Sequence, residues 1–154
     1  MIAGATNKGV VFLEWQDRGG VERILKRVEK RYKRELVVGE NRHIDVLEKE
    51  LSEYFDGKRT VFEVATDVTG TKFEQSIWEQ LLDIPLGETR TYGQIAKIVN
   101  NPRAHRAIGK ACGANYLSIV IPCHRVIEAN GNLRGYGGKL WRKKKLLQLE
   151  KAID

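Results

Sequence analysis

The chain of 154 residues has room for one ordinary domain or two small ones, and its 42% hydrophobic content is that of a globular protein. No apolar run approaches the ~20 residues of a membrane-spanning helix, no signal-peptide pattern is visible in "MIAGATNKGVVFLEW", and two cysteines make no disulfide framework, so neither a helical membrane protein nor a disulfide-stapled secreted one is expected and a reducing cytosol is the simple reading. The formal charge of +7 is lopsided: residues 88–154 carry 13 Lys/Arg against 4 Asp/Glu, a net of +9, whereas residues 1–87 carry 14 against 16, a net of −2, so the basic half is the one suited to a polyanion.

In chain order, "VVFLEW" (10–15) reads as a strand. "GGVERILKRVEKRYKREL" (19–36) spaces Val21, Ile24, Leu25, Val28 and Tyr32 at helical intervals, with Arg, Lys and Glu forming a solvated face. Asp45 is expected to cap a helix at "DVLEKELSEYF", with Val46, Leu47, Leu51 and Phe55 as its apolar stripe and Gly57 as its stop. "TVFEVAT" (60–66) alternates as a strand does. "DVTGT" (67–71) reads as a linker, and Thr71 with Glu74 predicts a capping box opening a helix through Phe73, Ile77, Trp78 and Leu81. Pro85 and Gly87 mark the turn after it. The fold class expected is therefore an α/β N-terminal domain over residues 1–69, a small sheet with helices, followed by a mainly helical winged helix-turn-helix domain over 70–154.

"TYGQIAKIVNNPRAHRAIGKACGAN" (91–115) predicts two short helices joined by Asn100-Asn101-Pro102, the outline of a helix-turn-helix whose second helix begins near Arg103. At ~100° per residue, Arg103, Arg106 and Lys110 share one narrow sector, and Ala104, Ile108 and Ala111 form the opposite, inward stripe. Ala107 and Gly113 border the basic ridge and barely protrude, which suits close approach to a phosphate backbone. An ordinary charged helix face is the simpler alternative.

"SIVIPCHRVIEANG" (118–131) reads as a buried strand through Ile119, Val120 and Ile121, stopped by Pro122 just before Cys123 and His124. A zinc site wants three or four Cys/His ligands at short spacings, which Cys123, His124 and the remote Cys112, His43 and His105 do not supply. A small buried thiol explains Cys112 better than Cys123. A nucleophilic thiol needs a base, and a histidine base needs a third group to orient it. The C-terminal "KLWRKKKLLQLEKAI" offers one, because Glu150 falls inside the apolar arc of Leu146, Leu147, Leu149 and Ile153. Lys143 lies on the same arc, so a Lys143–Glu150 salt bridge competes with a His124–Glu150 pair.

"GTKFEQSIWEQLLDIPLGETRTYGQIA", "NPRAHRAIGKACGAN" and "IPCHRVI", in that order over residues 70–151, resemble the O6-alkylguanine-DNA alkyltransferases. The resemblance implies direct repair: an O6-alkylguanine is flipped out of duplex DNA and its alkyl group passes irreversibly to a cysteine, once per molecule. O6-methylguanine is the chief substrate it implies, with O4-methylthymine beside it. By position it implies that Cys123 is the acceptor, that His124 deprotonates it through a water, and that Glu150 orients His124. Asn115 matches the hinge asparagine, Tyr92 the proton donor to guanine N3, and Arg106 the arginine that fills the place of the flipped base. DNA contacts are implied for Arg103, Arg106, Ala107, Lys110, Gly113 and Arg125, through the minor groove. The alkylguanine pocket is implied to draw on Tyr92, Cys112, Val126, Tyr136, Gly137 and Gly138. Cys112 stands where the family carries an apolar pocket wall, and Arg134 where it carries a small residue.

No cofactor and no metal are expected, and the protein is expected to act as a monomer in the cytoplasm, at the nucleoid. A non-catalytic damage sensor of the same fold would carry another residue in place of Cys123. A winged-helix regulator would explain the helix pair but not Cys123, His124 and Glu150 together, and a cysteine hydrolase would need an oxyanion site.

Overall fold

A computed structural model describes residues 1–154, which divide into two compact units, Met1–Thr69 and Gly70–Asp154. The first is α/β and the second mainly helical. No helix is long and apolar enough to cross a membrane.

The first unit is built on an antiparallel hairpin of β1 (Ile2–Ala5) and β2 (Val10–Glu14), in the register Ile2↔Glu14 to Ala5↔Val10 with a bulge between Gly4 and Ala5. Every residue of β2 is buried, so the strand is the unit's core rather than a two-faced surface element. Gly4 is required opposite Phe12: a Cβ there would sit 2.2 Å from the ring. Helix α1 (Val21–Tyr32) buries Ile24 and Val28. Helix α2 (Arg42–Phe55) begins three residues before the expected cap: the Asn41 side chain accepts from the His43 amide, and Asp45 lies in the first turn. The earlier start is accompanied by a shifted buried stripe. Leu47, Glu50 and Tyr54 face inward, whereas Val46 and Phe55 are each 44% exposed.

Residues 60–66 do not form the expected strand, and only Thr66 makes a bridge, parallel to Val10. The reason lies in Glu50. Its buried carboxylate accepts from the amides of Glu63 (3.0 Å) and Val64 (3.1 Å), taking the place of a ladder partner.

In the second unit, α3 (Lys72–Leu82) opens on the Thr71–Glu74 capping box and buries Ile77, Trp78 and Leu81. After the turn at Gly87 (φ 86), β3 (Arg90–Thr91) leads into α4 (Tyr92–Ile98), which a second capping box, Thr91 with Gln94, starts. Helix α5 (His105–Gly113) completes the helix-turn-helix pair. It starts two residues later than expected, because Asn100 turns into a left-handed conformation (φ 52) and the Asn101 carbonyl accepts from the Ala104 amide, leaving Pro102 and Arg103 in the turn. Ala104, Ile108 and Ala111 are buried as the inward stripe, and the Trp78 indole donates to the Ala111 carbonyl (2.9 Å), fastening α3 to α5. A 3₁₀ turn at Cys123–Arg125 runs into β4 (Val126–Ile127), which pairs in parallel with β3, Arg90 to Val126 and Thr91 to Ile127. Helix α6 (Leu140–Leu149) closes the unit.

Candidate active site

The segment before Cys123 is apolar and buried, but it is not a strand. The Val120 amide donates to Ser118 across Ile119, which takes φ 72, and the Ile121 amide reaches back to Leu117. Pro122 (φ −82, ψ 60) centres an inverse γ-turn in which the Cys123 amide donates to Ile121. Ile119 is β-branched and disfavours positive φ, so this path is strained and must be imposed by its surroundings. Asn115, buried at the end of α5, is part of that surrounding. Its Oδ1 accepts from the Leu117 amide (2.9 Å), and its Nδ2 donates to the Ile121 carbonyl (2.9 Å) and to Cys123 Sγ (3.3 Å). One amide therefore shapes the turn and touches the thiol.

His124 follows on the 3₁₀ turn and is fully buried. Its Nε2 lies 2.8 Å from Glu150 Oε1. A carboxylate can only accept, so Nε2 carries the proton and Nδ1 the lone pair. Nδ1 is buried with no hydrogen-bond partner in the protein. Burial pushes the imidazole below its ordinary range. Glu150 opposes that shift, and Arg125 and Lys143 add to it, so the ring is held neutral. The expected DNA contact at Arg125 is corrected here. The residue is 7% exposed, with Nε to Glu150 Oε2 (2.8 Å), Nη2 to Glu150 Oε1 (3.0 Å) and Nη1 to the Ile84 carbonyl (2.6 Å), so its guanidinium is spent internally. Glu150 caps the C-terminal end of α6, and its partners are His124 and Arg125 rather than Lys143.

Beside these groups a cleft of about 650 Å³ is lined by Tyr92, Gly93, His105, Arg106 and Gly109 on one side and by residues 128–130, Arg134 and Gly135 on the other. Tyr92, the first residue of α4, is half-buried, and burial with the nearby Cys112, Cys123 and Glu128 raises its phenol to about 12. It stays protonated and can act as a donor. Gly135 lies close to it, for a Cβ there would be 3.6 Å from the hydroxyl. Arg106, which lines the cleft, is exposed on α5 together with Ala107, Lys110 and Gly113, and Arg103 is exposed in the preceding turn. The single helical ridge expected of the three cations is thus split.

Of the residues expected to line the pocket, only Tyr92 borders the cleft. Val126 is fully buried in β4, and Cys112 is buried on α5, its thiol raised to about 12 mainly by burial. Tyr136 is buried with its ring edge-on to His124 (centroids 6.4 Å), Gly137 is exposed, and Gly138 is buried, its carbonyl accepting from Arg142. Sequence reasoning missed Glu128, Gly135 and His105 at the cleft, and saw Lys143 only as a rival partner for Glu150. No cluster of three or more His, Cys, Asp or Glu side chains is arranged to hold a metal.

Comparison with known proteins places this geometry. Residues 72–152 match the family described as 6-O-methylguanine DNA methyltransferase, DNA binding domain. A Mycobacterium bovis methylated-DNA–protein-cysteine methyltransferase is 52% identical over 103 residues, covering 67% of this chain and 62% of the relative, so the match spans less than two thirds of the mycobacterial protein. The inducible methylated-DNA–protein-cysteine methyltransferase of Bacillus subtilis is 40% identical over 150 residues, covering 97% of this chain and 83% of the relative. Among solved structures, Mycobacterium tuberculosis OGT in complex with DNA superimposes with a TM-score of 0.81 at 38% identity, over 97% of this chain and 85% of that one. The O6-methylguanine-DNA methyltransferase of Pyrococcus kodakaraensis does so at 0.71 and 28% identity, over 97% and 89%.

Proposed function

The chain belongs to the methylated-DNA–protein-cysteine methyltransferase family, and from that premise we propose that its second unit repairs DNA by moving an alkyl group from O6-alkylguanine, chiefly O6-methylguanine and also O4-methylthymine, onto Cys123. The observation that carries the reading is the pairing of Cys123, touched by Asn115, with a neutral His124 whose Nε2 is committed to Glu150.

His124 Nδ1 takes the thiol proton through a water, and Glu150 with Arg125 steadies the ring in the tautomer that leaves Nδ1 basic. The thiolate attacks the sp³ alkyl carbon; the S–C bond forms as the C–O6 bond breaks, and guanine leaves with the electron pair. Tyr92 delivers its proton to guanine N3, cancelling the charge of the leaving base. The product is a thioether, which offers water no carbonyl to attack, so each molecule reacts once.

The target atom is reached by flipping the base from the stack, at a cost of a few kcal/mol. Arg106, on the cleft rim, fills the vacated place, while Arg103 and Lys110 contact phosphates and Ala107 and Gly113 let α5 approach the minor groove. The protein acts as a monomer on DNA in the cytoplasm.

The test is an intact mass after incubation with a duplex containing O6-methylguanine. One methyl group mapped to Cys123, absent in Cys123→Ala, is the expected outcome. Tight binding of unmodified protein would replace the transferase with a damage sensor.

A further inference from the structure

The run "KLWRKKK" (139–145) sets five cations and no acid at the start of α6. A helix N-terminus carries partial positive charge and favours acids, so this placement is a cost that the first turn does nothing to offset. Lys143 turns inward, its Nζ donating to the Val126 and Arg134 carbonyls. Lys144 and Lys145 are exposed, and their ammonium groups make no ion pair or hydrogen bond within the chain. Among these cations stands Trp141, which is 56% exposed although tryptophan is on average well buried. The Arg142 guanidinium lies over its ring, 4.4 Å from the centroid, and donates through Nη1 to the Gly138 carbonyl (3.2 Å). The ring is thus steadied by Arg142 while more than half of the residue stays open. Residues three and four apart are neighbours on a helix, so Trp141, Lys144 and Lys145 share one outer face, and Leu146 and Leu147 are buried on the other.

We propose that this outer face of α6 is a second nucleic-acid contact, for unpaired DNA: a base stacks on Trp141, and the phosphates beside it meet Lys144 and Lys145. An aromatic ring flanked by cations suits a single strand, because every base offers a π-face and every nucleotide a phosphate. A base inside a duplex is stacked on both sides, so the ring selects a strand that has lost its pairing. The position suits a strand passing the cleft: Gly135 lines the opening, and the chain from Gly135 to Trp141 spans at most about 22 Å. A membrane surface fits less well, because Leu146 and Leu147 point into the unit and leave the outer face no continuous apolar stripe to insert. An acidic peptide would meet the lysines but leave the ring unused. The choice of DNA rests on the repair reading, whereas the contact itself does not involve Cys123.

Oligothymidylate is the probe, titrated into the full chain while tryptophan emission is followed. Stacking is expected to quench Trp141, and Trp141→Phe should abolish the quench, because Trp78 is buried and Trp15 belongs to the first unit. Trp141→Ala should weaken binding about 5- to 150-fold, the equivalent of one lost base–aromatic stack, and leave its salt dependence unchanged. Lys144→Gln with Lys145→Gln should instead reduce the slope of log affinity against log salt by about 1.4, the amount for two phosphates of a single strand. All three side chains are exposed, so the variants should keep the native urea midpoint. Native affinity and slope in both variants would assign oligonucleotide binding to α5 and overturn the proposal, as would no binding at low salt. Vesicles containing phosphatidylglycerol, and polyglutamate, are the controls. Tighter binding of either one, lost in Trp141→Ala, overturns the proposal in favour of a membrane or an acidic protein. Oligothymidylate holds no O6-alkylguanine, so the outcome stands whether or not an alkyl group reaches Cys123.

Discussion

His124 and Arg125, consecutive in the chain, converge on a single carboxylate oxygen: Glu150 Oε1 lies 2.8 Å from His124 Nε2 and 3.0 Å from Arg125 Nη2. The guanidinium absorbs most of the carboxylate's charge, so the histidine is oriented by Glu150 without being turned into an imidazolium. Arg125→Met removes that balance. The lone Glu150 charge then raises the imidazole, and the acid limb of transfer from free O6-benzylguanine moves to higher pH, with roughly tenfold less base at a given acidic pH for each pH unit that the limb moves. A rate–pH profile checks this, and an unmoved acid limb would show that Arg125 serves only the fold. The same variant should lose about 3–5 kcal/mol of stability, because a buried carboxylate is left underpaired.

A buried neutral histidine also makes stability depend on pH. His124 has a folded value below its ordinary one, so on acidification the unfolded chain binds a proton first. Stability is complete above the unfolded value of about 6.5 and falls as pH drops from there towards the lowered folded value, with a slope of up to ~1.4 kcal/mol per pH unit. Urea titrations between pH 7.5 and 5 should show this slope. His124→Gln should flatten it.

Asn115 tests the thiol's hydrogen bond apart from the turn. Asn115→Asp keeps an acceptor for the Leu117 amide but can no longer donate to Ile121 or to Sγ, and it sets a negative charge beside the sulfur. Cys123 should react at least tenfold more slowly with iodoacetamide at neutral pH, an order-of-magnitude expectation from the loss of a buried hydrogen bond to a charged group. Equal rates would mean that the amide shapes the backbone alone.

Arg106 separates DNA engagement from chemistry. Arg106→Ala leaves the Cys123, His124 and Glu150 network untouched, so transfer from free O6-benzylguanine should stay within about threefold of the native rate. Transfer from duplex O6-methylguanine should fall ten- to a hundredfold, on the order of the few kcal/mol that base extrusion requires. Equal losses on both substrates would sink the flipping role.

Two strands expected from the sequence are absent, and the cause is common to both. "TVFEVAT" and "SIVIP" carry the apolar, β-branched signature of buried extended chain, and they contain buried residues. In each, however, a buried side chain takes backbone groups that a ladder would use: the Glu50 carboxylate accepts from the Glu63 and Val64 amides, and the Asn115 amide donates to the Ile121 carbonyl, while tight backbone turns meet the amides of Val120 and Ile121. Local pattern reports a stretch suited to extended chain; it reports neither how much of it is buried, for only Val64 of "TVFEVAT" is, nor whether the partner is a strand or a side chain. Glu150 was legible because a carboxylate set among Leu146, Leu147 and Ile153 demands a partner. Arg125 was not, since an arginine in a basic half looks like a phosphate contact until its neighbours in space are known. Lys143 lay between: its inward position could be read, whereas its two carbonyl partners come from chain segments that only folding brings together.

The parallel ladder of β3 and β4 is only two residues long, yet it splices the segment that launches Tyr92 directly to the segment that follows Cys123, His124 and Arg125. Tyr92 and Cys123, the proposed proton donor and nucleophile, are distant along the chain but separated by very few bonds through this splice. Positional error accumulates over the links that join two points, so a short route confers tight tolerance without a large rigid scaffold. The ladder thus gauges the distance between the Tyr92 and Cys123 segments.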